Sequence, residues 1–168
     1  MEENPFEPPK VTEENVNIEE LIKNASSTVN SFMFNQIYRE GKFQRIDHWN
    51  SLENTALIIE GSYSLQYGVG EENMFSIHFS FVFNGTKFRF FKAKKVTLLI
   101  RVFSILSRDT SKRLKIKNIK TFKFSNINEL GVQLEGFKDE MKKRIKEIIV
   151  VMTKKYERDL EEEHKWRR

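Results

Sequence analysis

The sequence predicts an α+β fold: an antiparallel β-sheet of about four strands, with an N-terminal helix, a buried helix near 93–108 and a long C-terminal helix. Three observations support this. Residues 73–84 alternate between apolar and polar side chains, which is the period of a strand buried on one face. Residues 112–124 alternate in a similar way, with many cations on one parity. Residues 137–160 repeat apolar side chains every three or four positions, as a helix does.

The first helix is expected over residues 17–39. Asn17 and Glu20 have the spacing of a capping box, apolar residues follow at helical spacing, and Gly41 is a suitable stop. Residues 1–16 are acidic and contain all three prolines. We therefore expect a flexible acidic arm at 1–16 and a single α+β domain over 17–168.

Residues 42–54 match neither period and are expected to form a loop. This loop carries Phe43 and Trp49 beside two cations. Aromatic rings next to cations suit base stacking, although a tryptophan that packs at the edge of the core is also common. The first strand is then expected over residues 56–67.

The centre of the chain is expected to be a β-hairpin. Five apolar residues of 75–83 share one parity, and Asn84-Gly85 favours a type I′ turn. A two-residue loop would place Phe83 opposite Thr86 and His78 opposite Phe91. The face opposite the core would then carry His78, Lys87, Arg89 and Phe91.

The second half of the chain is expected to hold two helices and one strand. Residues 93–108 repeat apolar side chains at helical spacing, which predicts the buried helix. Residues 112–124 predict a strand with a bulge near Asn118. One face of that strand would carry Arg113, Lys115, Lys117 and Lys123.

The last helix is expected over 137–163, with its second half projecting into solvent. Asn126 and Glu129 could cap a start at residue 127, but Gly131 and Gly136 leave the state of 127–136 open. The apolar spacing of this helix is wider than a heptad, so it does not favour a leucine zipper. A homodimer through this helix stays open.

Composition excludes several classes of function. The chain has no cysteine, which excludes disulfides and thiolate chemistry. It has no apolar N-terminal segment and no apolar run of about 20 residues, so a soluble cytoplasmic protein that does not engage membranes is expected. The three histidines lack metal-ligand spacing, and no nucleophile or phosphate-loop motif occurs. We expect no enzyme activity, metal, cofactor or small-molecule substrate.

Charge is distributed unevenly along the chain. Residues 1–60 hold 5 basic and 11 acidic residues, whereas residues 61–126 hold 13 basic and 3 acidic ones. A basic surface with aromatic rings is typical of single-strand nucleic-acid binding. The predicted site comprises Lys87, Arg89, Phe91, His78, Arg113, Lys115, Lys117, Lys123, Trp49 and Phe43.

Other interpretations of the same residues stay open. The sheet face could be an ordinary solvated surface, and the lysine-rich strand could be an edge strand guarded against aggregation. A protein-interaction module whose basic face binds an acidic partner is the alternative function. The sequence does not distinguish DNA from RNA.

The order of elements resembles two families of single-strand binders. Residues 17–160 are similar in arrangement to the ThermoDBP-type non-canonical single-stranded DNA-binding proteins of archaea. The segment MFSIHFSFVFNGTKFRFFKAKKVTLLIRVFSIL looks like the sheet-then-helix unit of PC4/Whirly-type proteins. The resemblance implies sequence-independent binding of single strands by a dimer or higher oligomer.

Overall fold

The computed structural model describes residues 17–41, 43–52, 58–85 and 95–167. Within these residues it forms one five-stranded sheet with two helices on one side. The strands are antiparallel and lie in chain order: β1 (Arg45–Leu52), β2 (Ile58–Val69), β3 (Glu72–Asn84), β4 (Val96–Leu106) and β5 (Arg113–Phe124). Helix α1 (Ile18–Phe32) continues as a π-helical turn over Met33–Tyr38, and helix α2 spans Ile127–Trp166. The α+β class and both terminal helices are confirmed. The sheet has one more strand than predicted.

The core lies between the sheet and the two helices. Phe75, Ile77, Phe79, Phe81 and Phe83 on β3 are at most 1% exposed, as their shared parity predicts. Both helices pack on this same side. The Tyr63 hydroxyl on β2 donates to the Asn30 side chain on α1 at 3.3 Å, and the Phe122 ring on β5 meets the Phe137 ring on α2 edge to face.

The predicted helix at 93–108 is wrong, because Val96–Leu106 forms strand β4. Apolar residues occupy both parities of this segment, so its sequence matches a strand and a helix equally well. The inward parity fills the core, since Val96, Leu98, Ile100 and Leu106 are at most 1% exposed. Pairing with β3 supplies the backbone hydrogen bonds that a helix would have made internally.

The predicted register of the central hairpin is also wrong. Strand β3 pairs with β2 on one edge and with β4 on the other, so Phe83 lies opposite Leu98 and His78 lies opposite Phe103. The edge that the hairpin partner was expected to occupy therefore belongs to β4. The expected partner residues, 86–92, lie outside the described residues.

The expected loop at 42–54 contains strand β1. Its alternation is weak in sequence, because polar residues occupy both parities, and the strand exists through its pairing with β2. Trp49 lies opposite Ser62, on the side of the sheet away from the helices. The predicted strand at 56–67 is confirmed as β2, shifted by two residues.

Helix α2 begins where the capping residues predict. The Asn126 side chain accepts from the backbone N–H of Glu129 at 2.9 Å, and the Glu129 carboxylate accepts from the N–H of Ser125 at 2.8 Å. Residues 127–136 are therefore helical. No helix among the described residues is long and apolar enough to span a membrane.

The second half of α2 does not project freely as predicted. Tyr156 is 3% exposed and its hydroxyl donates to Glu72 at the start of β3. Arg108, just after β4, donates to Glu72 at 2.9 Å and to Glu163 at 3.3 Å. These contacts hold the end of α2 against the end of the sheet.

Candidate nucleic-acid interface

The side of the sheet opposite α1 and α2 is the candidate site, and we call it the open face. Antiparallel pairing places every second residue of each strand on it. Among the described residues, neither helix packs against it. Its members are Arg45, Asp47 and Trp49 on β1; Glu60, Ser62, Ser64 and Gln66 on β2; Ser76, His78, Ser80 and Val82 on β3; Thr97, Leu99, Arg101, Phe103 and Ile105 on β4; and Arg113, Asn118, Thr121 and Lys123 on β5.

A stacked pair of rings lies near the middle of the open face. His78 on β3 and Phe103 on β4 are direct cross-strand neighbours, with ring centroids 4.7 Å apart and planes 7° from parallel. The hydroxyl oxygen of Ser76 lies 2.7 Å from His78 Nε2. Burial, and secondarily the positive charge of Arg113, lower the pKa of His78 below its ordinary value. The imidazole is therefore neutral at neutral pH, and the pair is an uncharged aromatic platform.

Within the described part of the chain, three cations of the open face have no acidic partner. Arg101 lies on β4, and Arg113 and Lys123 lie at the two ends of β5. All three side chains are exposed, and among the described residues none forms a salt bridge. Some cations on the helix side are paired instead, since Lys112 pairs with Asp159 at 2.7 Å and Lys142 pairs with Glu40.

The acidic residues of the open face lie at its other side and already have partners. Asp47 on β1 pairs with Arg45 at 2.8 Å. Glu60 on β2 accepts a hydrogen bond from the Ser80 hydroxyl. Among the described residues, the β4–β5 half of the open face therefore has three cations without a salt bridge, and both carboxylates belong to β1 and β2.

Four of the ten residues predicted for the site lie on the same face of the sheet. His78, Arg113, Lys123 and Trp49 all lie on the open face, and Trp49 is 48% exposed. They do not form one compact cluster, because Trp49 is on the first strand and Lys123 on the last.

Two predicted site residues lie on the helix side instead. Lys117 is paired with the inward-facing Val102 and borders a cavity together with Arg144 and Glu147 of α2. Irregularities in the pairing of β5 with β4 change the parity there, so the cations of β5 do not form one row as predicted. Phe43 packs against Tyr67, with ring centroids 6.3 Å apart, beneath the helices.

For the remaining four predicted residues, the structure does not describe the side chain. Lys87, Arg89 and Phe91 belong to the undescribed segment 86–94. The backbone of Lys115 is part of β5, but its side chain is not described. These four therefore stay predictions.

Phe103 and Arg101 belong to the open face but were not predicted, because residues 93–108 were expected to be a helix. The composition of this segment did favour strand β4. The segment 96–106 contains five β-branched residues, which favour strands over helices. As a strand, it places Arg101 and Phe103 on the parity opposite the buried Ile100 and Val102.

Among the residues that the structure describes, no group of three or more His, Asp or Glu side chains could hold a metal ion. Comparison with models of protein families, with curated protein sequences and with solved structures finds no match to this chain.

Proposed function

We propose that this protein binds single-stranded nucleic acid in a sequence-tolerant way through the open face. The observation that carries the proposal is the neutral stacked pair His78–Phe103 with unpaired cations on the same sheet face. Flat aromatic surfaces stack on any base, and neighbouring cations neutralise the phosphates. A ring pair for stacking and cations for the phosphates would together bind a single strand without base-specific contacts.

The phosphate contacts would come mainly from the β4–β5 half. Arg101 lies on the strand of Phe103, two residues away, and its planar guanidinium can bind a phosphate with two hydrogen bonds. Arg113 and Lys123 extend the positive charge to both ends of β5. A strand that runs along this half of the face would pass over Phe103 and meet all three cations.

The base contacts would come from the ring pair and its surroundings. Stacking on an aromatic side chain is worth about 1–3 kcal/mol per base. Ser62 and Ser76 are partly exposed and place hydroxyl groups near His78, which donate or accept hydrogen bonds as a base requires. Hydroxyl groups adapt to all four bases, which favours sequence tolerance. Trp49 offers a second exposed ring on β1.

The proposal is tested by fluorescence polarisation of a labelled single-stranded oligonucleotide over a series of salt concentrations. Neutralisation of three phosphates predicts a log–log slope of about −2, since each contributes about −0.7 for single strands. Arg101→Gln should weaken binding and reduce the steepness of the slope by about 0.7.

Arg144→Gln is the matched control for that experiment. Arg144 lies on α2, on the helix side, with a half-exposed side chain that contacts Glu147 at 3.5 Å. Its replacement should leave both the affinity and the slope unchanged. Absence of binding at low salt, or an equal loss in both variants, would refute binding through the open face.

A further inference from the structure

A cavity lies on the helix side of the sheet, between the end of the π-helical turn, the residues that follow it as far as Phe43, strand β2 and helix α2. It is a half-open cavity of about 470 Å³. Its lining is mainly apolar and also includes one glutamate and two lysine side chains. Its lining residues are Ile37, Glu40, Gly41, Phe43, Tyr67, Lys142, Ile145, Lys146 and Ile149.

The aromatic wall of this cavity is built by close packing. Phe43 meets Tyr67 edge to face at 6.3 Å, and Tyr67 in turn stacks on the buried Phe75 at 5.0 Å. A Cβ on Gly41 would lie 2.3 Å from the Phe43 ring, so only glycine allows the ring to lie there. The wall is therefore held in place before any ligand arrives.

The opposite wall is one face of α2. Lys142, Ile145, Lys146 and Ile149 follow at i, i+3, i+4 and i+7, the spacing of residues that share a helix face. Lys142 is paired with Glu40, which neutralises both charges. Lys146 is exposed and, among the described residues, forms no salt bridge. Among the described lining residues, the charge that is left without a salt bridge is therefore that of Lys146.

We propose that this cavity binds a small aromatic carboxylate, with its ring between Phe43, Tyr67 and Ile149 and its carboxylate at Lys146. The cavity volume is within the range of small-molecule sites, which combine apolar walls with few polar groups. The charge complementarity at Lys146 selects an anion over a neutral ring. The site is on the helix side, so it does not depend on the open face or on the proposed function.

The test uses naphthalene-2-carboxylate as probe and 2-naphthalenemethanol as its neutral counterpart, with binding measured by ¹H–¹⁵N NMR titration. Shifts should map to residues around Gly41, Tyr67 and Ile145. The carboxylate should bind about two- to fivefold more tightly than the alcohol, the range of a partly exposed ion pair. No saturable shift, or shifts elsewhere, would overturn the proposal.

Two variants separate the parts of the proposal. Lys146→Gln should remove the preference for the carboxylate, whereas Lys143→Gln, on the exposed side of α2, should keep it. Ile149→Trp should abolish binding of both probes by filling the cavity. Lys146 is a surface residue that the fold does not require. The preference of Lys146→Gln for the two probes therefore tests the proposal even if Ile149→Trp fails to fold. Equal preference in wild type and Lys146→Gln would overturn the role of Lys146.

Discussion

At the scale of single residues, Phe103 carries the largest share of the proposed stacking. Its ring is half-buried on the open face and parallel to that of His78. Phe103→Ala should weaken single-strand binding by about 1–3 kcal/mol, because a stacked base would lose its ring partner. Fluorescence polarisation at constant salt measures the change. The salt slope should stay the same, because no cation is removed.

Trp166→Ala is a suitable control for the loss of an aromatic side chain. Trp166 is 90% exposed at the end of α2 and is not part of the open face. Its removal should not alter affinity. If Phe103→Ala binds as wild type does while its circular dichroism spectrum is unchanged, the ring does not stack on bases.

His78 provides a second prediction at this scale. Burial, followed by the charge of Arg113, lowers the pKa of its imidazole. Arg113→Gln should therefore raise the pKa of His78 towards the ordinary histidine value, measured by NMR titration of its ring protons. Lys123→Gln, at the other end of β5, should leave it unchanged. An unchanged pKa in Arg113→Gln would show that the guanidinium does not act on the ring.

The same shift links His78 to folding stability. A lowered pKa means that the unfolded chain binds a proton more readily than the folded one. The contribution of His78 is therefore complete above the ordinary histidine pKa of about 6.5 and is lost as the pH falls from there to the pKa of the folded state. His78→Gln should flatten the pH dependence of the unfolding midpoint in this window.

At the scale of elements, α2 carries two glycines that its packing does not require. A Cβ built on Gly131 or on Gly136 meets no atom within 4 Å. Alanine in a helix interior is more favourable than glycine by about 0.5–1 kcal/mol. The double variant Gly131→Ala, Gly136→Ala should therefore raise the free energy of unfolding by about 1–2 kcal/mol, measured by urea denaturation.

Gly68 provides the opposite case on β2. A Cβ there would lie 1.7 Å from the backbone oxygen of Glu72, which cannot move without breaking the register of β2 and β3. Gly68→Ala should lower the unfolding midpoint. A stabilised Gly68→Ala protein, or a destabilised α2 double variant, would contradict the packing described here.

The elements that the sequence predicted correctly are those with one dominant period. β3 alternates strictly through five buried residues, and α1 and α2 have capping residues at their starts. β4 was missed because apolar residues on both of its parities allow two periods. β1 was missed because its alternation is weak. The error at β4 also affected the candidate site, because Phe103 and Arg101 lie on that strand and were therefore not predicted.

The order of strands was the other property that the sequence did not reveal. A glycine after Asn84 favours a tight hairpin locally, but the pairing of β3 with β4 is decided by the burial of Leu98, Ile100 and Leu106 against the same core. Long-range packing therefore outweighed the turn signal. The predicted bulge near Asn118 is confirmed by the shift of register between Lys120 and Asn118, but its consequence, that Lys117 turns to the helix side, was not predicted.

At the scale of the whole molecule, the residues that stabilise the fold lie on the helix side of the sheet, whereas the residues of the proposed function lie on the open face. Both helices cover one face of the sheet and supply the core, with Ile22 and Ala25 of α1 and Met141 and Met152 of α2 fully buried. The open face can then hold polar and charged residues at little cost to the core. Changes at Arg101 or Lys123 should therefore alter binding without large changes in stability.

The division of the open face also predicts a preference for single strands over duplexes. Neighbouring strands lie about 4.8 Å apart, so β1 and β5 are separated by about 19 Å. A single strand can follow the β4–β5 half and avoid Asp47 and Glu60. A duplex carries phosphates on both sides of its axis, and its second backbone would approach these carboxylates. We expect tighter binding of a single strand than of a duplex of the same length.

Removing the two carboxylate charges should narrow that difference. Asp47→Asn with Glu60→Gln retains the shape of both side chains and should raise duplex affinity more than single-strand affinity. The reason is that a strand over β4–β5 lies about 14–19 Å from Asp47 on β1, beyond the Debye length of about 10 Å at 0.1 M salt, whereas the second backbone of a duplex would approach both carboxylates. Glu60 is nearer to β4, because its carboxylate accepts from Ser80 on β3. Competition polarisation at that salt measures both affinities. Glu157→Gln with Glu161→Gln, two exposed changes on α2, is the control for net charge. An equal gain for duplex and single strand, or an equal effect of the control, would show that the charge division of the open face does not select the ligand.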